Sequence, residues 1–491
     1  MHQSSNSGGA AVRSIKGWSI AGVLLVWTAM LLMRVGYLPP ASANDDVWFA
    51  EEAYWLLNDG VLRSDWHQDA LGSNVRAYYP PITPVVQAGV FSLMGISQFS
   101  MGIAPTAFVI LTVGCMVLAL RQLGFPKLSW LFALAPFGVP DVFRYSLFLR
   151  YEFLVVFFLA LAFLFSVRLK ASIGNPDVSA FLIGVLSAMA GLSYYHVAPV
   201  CMPLGLALVL SAVPGDKRRG LTVWFACGCL LPLLAFASWI GTDWHDFLSV
   251  MAKMAASYGA PASAGQMHFL VVAAVLVFVM RSRRVLGGRD FAMAMAWLLS
   301  AFVFMALQLR HRTVLPIAYF ATWCAVAVIL SRKLPVWSGR YSRGVDVLLA
   351  VPALVAALGL VLAANLMSRY GRDYAPVKAA LLSKVNTEGL VVTEAAGWLA
   401  LREVVGRGKL IHYQIPLPNG GPASLNTSKV LLQGDPAPIS SLIIRPSLLD
   451  GAKTYSPALR AFLQSPDVLG PIPVSEREPY KLVMYVRRAG L

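Results

Sequence analysis

Residues 150–170 read RYEFLVVFFLALAFLFSVRLK. From Phe153 to Phe165 the run is wholly apolar, and Arg168 and Lys170 close it. A helix needs about 20 mostly apolar residues to cross the hydrocarbon core of a bilayer. A strand of a porin-type barrel would alternate apolar and polar residues, and this run does not. The rest of the chain has the same character. Its 491 residues are 57% hydrophobic and 13% charged, with a mean hydropathy of +0.65. A soluble domain carries about 25% charged residues to keep its surface wet. A cytosolic enzyme, a disordered chain and a secreted disulfide scaffold are therefore excluded. The fold class is a polytopic α-helical membrane protein.

The formal net charge is +16, from 40 Lys+Arg against 24 Asp+Glu. The basic residues lie in short connections between apolar runs, where they set orientation in a membrane. They argue against a nucleic-acid partner. Cys115, Cys201, Cys227, Cys229 and Cys324 all lie inside apolar runs, without the spacing of a zinc site. They read as small buried hydrophobes. No small-residue cleavage site clearly follows the first apolar run, so a cleaved signal peptide is not expected.

The first span is expected at about Gly17–Gly36, after a cytoplasmic N-terminus carrying Arg13 and Lys16. An outer loop over 37–81 follows. Further apolar runs centre near 110, 133, 157, 187, 205, 230, 274, 300, 322 and 355. Basic clusters at Arg121 and Lys127, Arg168 and Lys170, Lys217–Arg219, Arg281–Arg284 and Arg332–Arg343 alternate with outer connections, including a second large loop at 241–267. About eleven spans satisfy every loop, with 11–13 as the range. Residues 82–97 would extend only about 24 Å as a helix. They read as a partly inserted helix that breaks between Gly95 and Gly102. Residues 1–366 thus form a transmembrane module. Residues 367–491 read as a small extracytoplasmic α/β domain. EGLVVTE, KLIHYQI, SSLIIR and KLVMYVRR are its strands, and AAGWLALREVVG is a helix.

Unusual residues gather on the outer side. Asp45 and Asp46 follow the first span, and adjacent carboxylates at a low-dielectric boundary push one another's proton affinity upward, as a general base requires. Equally, Asn44 or Asp45 could cap a helix, with Asp46 in its first turn. VWFAEEAYWLLNDG reads as an amphipathic helix lying on the membrane, with Trp48, Tyr54 and Trp55 at headgroup level. RAYYPPITP, containing Tyr79, leads by a double proline into the next helix. Arg150 and Glu152 stand at the mouth of a span, where charges must pair, snorkel or face a wet cavity. GLSYYHVAP places Tyr194, Tyr195 and His196 at a tight outer turn, and DWHDF places Asp243, His245 and Asp246 at the head of an outer loop. Those last residues are weak metal candidates beside an ordinary interfacial turn. QLRHRTVLP puts Arg310, His311 and Arg312 on the outer side, against the positive-inside trend, as a phosphate or a lipid headgroup would explain. The middles of the spans lack charge and no repeat is visible. Both features argue for an enzyme over a transporter.

The ordered set Asp45-Asp46, YYPP, RYEFLVVFFLALAF, GLSYYHVAP and RHRTVLPIAYF resembles the GT-C superfamily of integral-membrane glycosyltransferases. The likeness runs over roughly residues 17–331 and is strongest to the branch of protein O-mannosyltransferases and lipid A aminoarabinose transferases. The chain has Asp-Asp where that branch more often has Asp-Glu, Tyr79 where Lys or His is frequent, and His196 where Lys is frequent. The resemblance implies a GT-C-like fold in a bacterial inner membrane, with the active site outside. It implies inverting transfer of a hexose or pentose from a polyprenyl-phosphate donor to a hydroxyl of an extracytoplasmic glycan, lipid or protein. On it, Asp45 would be the general base, Asp46 its neighbour and Glu152 the second acid. Arg310 or Arg312 would hold the donor phosphate, and Arg150, Tyr79, Tyr195 and His196 would contact substrates. Such enzymes often need no metal, although some members use a divalent ion, for which Asp243, His245 and Asp246 are the candidates. The rival expectations are a transporter or flippase of a lipid-linked glycan, and a non-catalytic subunit of an envelope assembly machine.

Overall fold

The computed structural model describes residues 44–62, 81–124, 133, 136, 150–241, 244–245, 247–248, 266–284, 286–308, 314–331, 374–402, 404–405, 409–412, 439–475 and 481–488. Helix α1 spans Asn44–Asp59. Helix α2 (Ile82–Met94) ends at Gly95, whose φ of 69° lies in the region that favours glycine. Helix α3 (Gln98–Gln122) then starts from a capping box. The Ser97 amide donates to Ser100 Oγ at 2.8 Å, and the Ser100 amide donates to Ser97 Oγ at 3.1 Å. The chain therefore breaks at Gly95–Ser97, and Gly102 is already helical.

The bundle continues with α4 (Glu152–Lys170), α5 (Pro176–Ser193), α6 (Ala198–Ala212), α7 (Arg218–Ile240), α8 (Gln266–Ser282), α9 (Gly288–Gln308) and α10 (Leu315–Ser331). Among the described residues, six helices are long and apolar enough to cross a membrane, and Ile82–Met94, Leu270–Ser282 and Leu315–Ser331 are shorter apolar helices. The spans expected at 17–36 and near 133 and 355 fall on residues wholly or almost wholly outside the described set. Helices α5 and α7 pack backbone to backbone through glycine. A Cβ on Gly184 would meet the Phe225 carbonyl oxygen at 2.2 Å, and one on Gly228 would meet that of Phe181 at 2.1 Å. Small residues at such crossings give the close contact that replaces the hydrophobic effect in lipid. Lys170, at the end of α4, pairs with Asp290 in the first turn of α9. All five cysteines are free thiols, but Cys227 is exposed, on a flank of α7 that no described element covers, rather than buried.

The C-terminal part holds α11 (Ala375–Lys384), β1 (Leu390–Thr393), α12 (Ala395–Leu401), β2 (Leu410–His412), β3 (Ile439–Ile444), α13 (Pro446–Tyr455), α14 (Pro457–Gln464), β4 (Val468–Ser475) and β5 (Leu482–Arg487). The strands form one five-stranded sheet in the order β2-β1-β3-β5-β4. Strand β1 is parallel to β2 and β3, and β5 is antiparallel to β3 and β4. Side chains alternate between faces along each strand. Val391, Ile443, Leu482 and Met484 join the same apolar core as the bundle helices. Val392, Leu442 and Ile444 join a separate core with Leu459 and Phe462 of α14. Strand β4 was not expected, because VLGPIPVS carries two prolines. It is an edge strand, where a missing N–H costs no ladder bond.

Candidate active site

One end of the bundle collects the N-terminus of α4, the turn between α5 and α6, and the C-terminus of α7, with α1 laid against them. Between Val47 and Ala53, every residue of α1 with a described side chain is covered. Val47, Phe49, Ala50 and Ala53 are wholly buried, and Glu51 and Glu52 are 2% and 6% exposed. Backbone is already helical at Asn44, so Asp45 and Asp46 sit within α1 rather than ahead of it as caps. Their side chains, and that of Trp48, lie outside the described set. Tyr54 and Trp55 of α1, expected among headgroups, face protein instead. Trp55 is buried, and Tyr54 meets Trp398 of α12 edge to face at 6.5 Å. The Arg402 guanidinium sits over the Tyr54 ring at 3.9 Å and over Trp398 at 5.1 Å. Protein contacts have taken the place of lipid, because the C-terminal part docks on this helix.

A chain of rings ties the outer motifs together. Phe49 meets Tyr151 edge to face at 5.4 Å, and Tyr151 stacks on Tyr194 at 4.0 Å. Tyr194 meets His196 at 5.2 Å. Beside Tyr151, Arg150 Nε donates to Glu152 Oε2 at 3.2 Å, with side-chain exposures of 10% and 0%. Arg150 is thus paired inside the protein rather than snorkelling to the interface. The 3₁₀ turn Tyr195–Val197 opens α6 and aims Tyr195 the other way. Tyr195 packs on Phe236 of α7 at 5.8 Å and on Phe247 at 5.5 Å.

The structure therefore brings together α1, Arg150, Glu152, Tyr195 and His196 from the expected set. Tyr79, Arg310, His311 and Arg312 lie outside the described residues, as do Asp243 and Asp246. His245 is exposed. Among the described residues no group of three or more His, Cys, Asp or Glu could hold a metal ion.

Sequence reasoning passed over Glu52. Burial pushes its carboxyl from an ordinary 4.5 up to about 8, and the carboxyl lies within electrostatic reach of Tyr195. A signal was present. Glu52 is seven residues beyond Asp45, about two turns of helix, which returns to the same face. Tyr151 was also missed. It reads as one more interfacial aromatic, yet it joins Phe49 to Tyr194.

This architecture recurs in known structures. ArnT from Cupriavidus metallidurans bound to undecaprenyl phosphate superposes with a TM-score of 0.63 at 14% identity, covering 96% of this chain and 98% of that one. The chain has the GT-C fold. Two further GT-C structures agree. The Archaeoglobus fulgidus oligosaccharyltransferase in complex with Zn and sulfate gives a TM-score of 0.51 at 12% identity, over 88% of this chain and 69% of that one. The arabinofuranosyltransferase AftD from Mycobacteria gives 0.55 at 14%, over 96% of this chain and 40% of that one. No protein-family model matches the chain, and no curated protein matches it in sequence.

Proposed function

We propose that this protein is an inverting membrane glycosyltransferase that moves a hexose or pentose from a polyprenyl-phosphate donor to a hydroxyl of an extracytoplasmic glycan, lipid or protein. One observation carries the reading. In a chain with the GT-C fold, α1, the Arg150–Glu152 pair and the Tyr194–His196 turn meet at one end of the bundle. The ArnT structure with undecaprenyl phosphate supports the class of donor.

In this reading Asp45 takes the proton of the acceptor hydroxyl as that oxygen attacks the anomeric carbon. The bond to the polyprenyl phosphate breaks on the opposite face, so configuration inverts. Asp46 stands beside the base. Glu152, held by Arg150, orients acceptor or base. Tyr79, Tyr195 and His196 contact the substrates. Arg310 and Arg312 bind the donor phosphate and neutralise the leaving group. Residues 1–366 are the catalytic module and 367–491 the extracytoplasmic domain, in a bacterial inner membrane with the N-terminus inside. The basic residues support that orientation. Arg168 and Lys170 lie at the end of α4 away from Glu152, and Arg218 and Arg219 at the end of α7 away from Phe236.

Mass spectrometry of envelope glycans from cells with and without the protein tests the proposal. One sugar unit should disappear from a glycan, lipid or protein when the gene is removed and return with the wild-type chain. An unchanged glycan profile would contradict it.

A further inference from the structure

We propose that Glu52 and Tyr195 form a second sugar-contacting pair in this site, hydrogen-bonding a ring hydroxyl remote from the anomeric carbon and so selecting the sugar. The inference rests on the glycosyltransferase reading and deepens it.

The position of Glu52 comes first. Phe49 lies between residues 45 and 52 on one face of α1, and its contact with Tyr151 turns that face toward the Arg150–Glu152 pair and Tyr194. Seven residues of helix separate positions 45 and 52 by about 10.5 Å along the axis. Two points two turns apart on one helix face suit contacts at two positions of the same sugar.

The chemistry of the pair comes second. Glu52 is 6% exposed. The Tyr195 hydroxyl is buried without a hydrogen-bond partner among the described residues and lies within electrostatic reach of the Glu52 carboxyl. Buried polar groups are normally satisfied, so an open hydroxyl beside a buried acid calls for a ligand that carries donors and acceptors. Burial keeps the Glu52 carboxyl protonated up to about 8, with no cation offsetting it. A neutral acid and a phenol each both donate and accept hydrogen bonds, as the hydroxyl groups of a sugar do. Phe236 and Phe247 behind Tyr195 add apolar surface of the kind that receives the C–H face of a sugar ring.

The test uses the full chain in lipid nanodiscs. Binding is read by tryptophan fluorescence with bare undecaprenyl phosphate, and with undecaprenyl phosphate carrying a neutral hexose or pentose. Wild type should bind at least one sugar-bearing lipid more tightly than the bare lipid. Glu52→Ala and Tyr195→Phe should each weaken sugar-bearing binding by about 5- to 100-fold. Both should leave affinity for the bare lipid phosphate in place, which also reports that the site is folded. Glu52→Gln keeps a neutral hydrogen-bonding group and should lose less than Glu52→Ala. Retention of both the full sugar preference and the wild-type acceptor KM by Glu52→Ala and Tyr195→Phe would overturn the pair while leaving the glycosyltransferase reading intact. Failure of the wild type to bind either lipid would overturn both. If acceptor KM rises in these variants while donor binding holds, the hydroxyl belongs to the acceptor sugar and the pair stands. If neither changes, it falls.

Discussion

Removing Arg150 should damage the site more than removing both members of its ion pair. Arg150 Nε and Glu152 Oε2 are 3.2 Å apart, with side-chain exposures of 10% and 0%. Breaking a buried pair from one side strands a desolvated charge and costs about 3–5 kcal/mol. The residual exposure of Arg150 sets the expected loss for Arg150→Met near the lower end, about 3 kcal/mol. Adding Glu152→Gln removes the carboxylate charge that Arg150 offset and should return about 1–3 kcal/mol, the penalty of an unsatisfied buried group. SDS titration in mixed micelles measures these differences for wild type, both single variants and the double variant. Strong positive coupling is the expected result, together with loss of transfer in all three variants. Additivity of the single effects within about 0.5 kcal/mol would refute the claim that this pair secures the start of α4.

Gly184→Val and Gly228→Val should each lower folded yield sharply. The added Cβ would stand 2.2 Å and 2.1 Å from carbonyl oxygens of the facing helix, and backbone cannot rotate away. Size-exclusion profiles in detergent check this, and Gly220→Ala, where a Cβ meets nothing within 4 Å, is the control. Trp398→Ala and Arg402→Ala should loosen α1 without touching the bundle. A guanidinium stacked on Tyr54 at 3.9 Å contributes about 0.5–2 kcal/mol, so amide exchange in α1 should quicken by up to about 30-fold. Stability should also fall with rising pH because of Glu52. Its carboxyl rises from 4.5 to about 8 on folding, so between those values the unfolded chain has released a proton that the folded chain keeps. The slope is at most about 1.4 kcal/mol per pH unit, and Glu52→Gln should flatten it in SDS titrations at pH 5 and 8.

Much of the bundle was legible because lipid demands continuous apolar helices. FLVVFFLALAFLF admits no other reading, and Gly95 marks the end of α2 by its positive φ. Strand β4 was hidden because its prolines are breakers in isolation and become harmless only at a sheet edge, which local sequence does not reveal. Tyr54 and Trp55 misled for a related reason. An aromatic stripe beside a membrane suits headgroups or protein equally well, and what decided it was Trp398, more than 340 positions further on. The acidic motifs stand out in the sequence because charges next to apolar spans are costly and conspicuous. Glu52 escaped because a Glu in an amphipathic helix reads as part of its wet face. Only the burial of Glu52 and the contact of Phe49 with Tyr151 show that this face is covered.

The most direct test of the account is transfer by Asp45→Asn. Asparagine keeps the size and shape of the side chain, so the variant should insert and fold as wild type does. With a radiolabelled polyprenyl-phosphate sugar and the acceptor found by glycan mass spectrometry, its turnover should fall by about 10²–10⁴-fold, the usual worth of a general base. Turnover close to wild type in a well-folded Asp45→Asn protein would contradict the account and remove Asp45 from the chemistry.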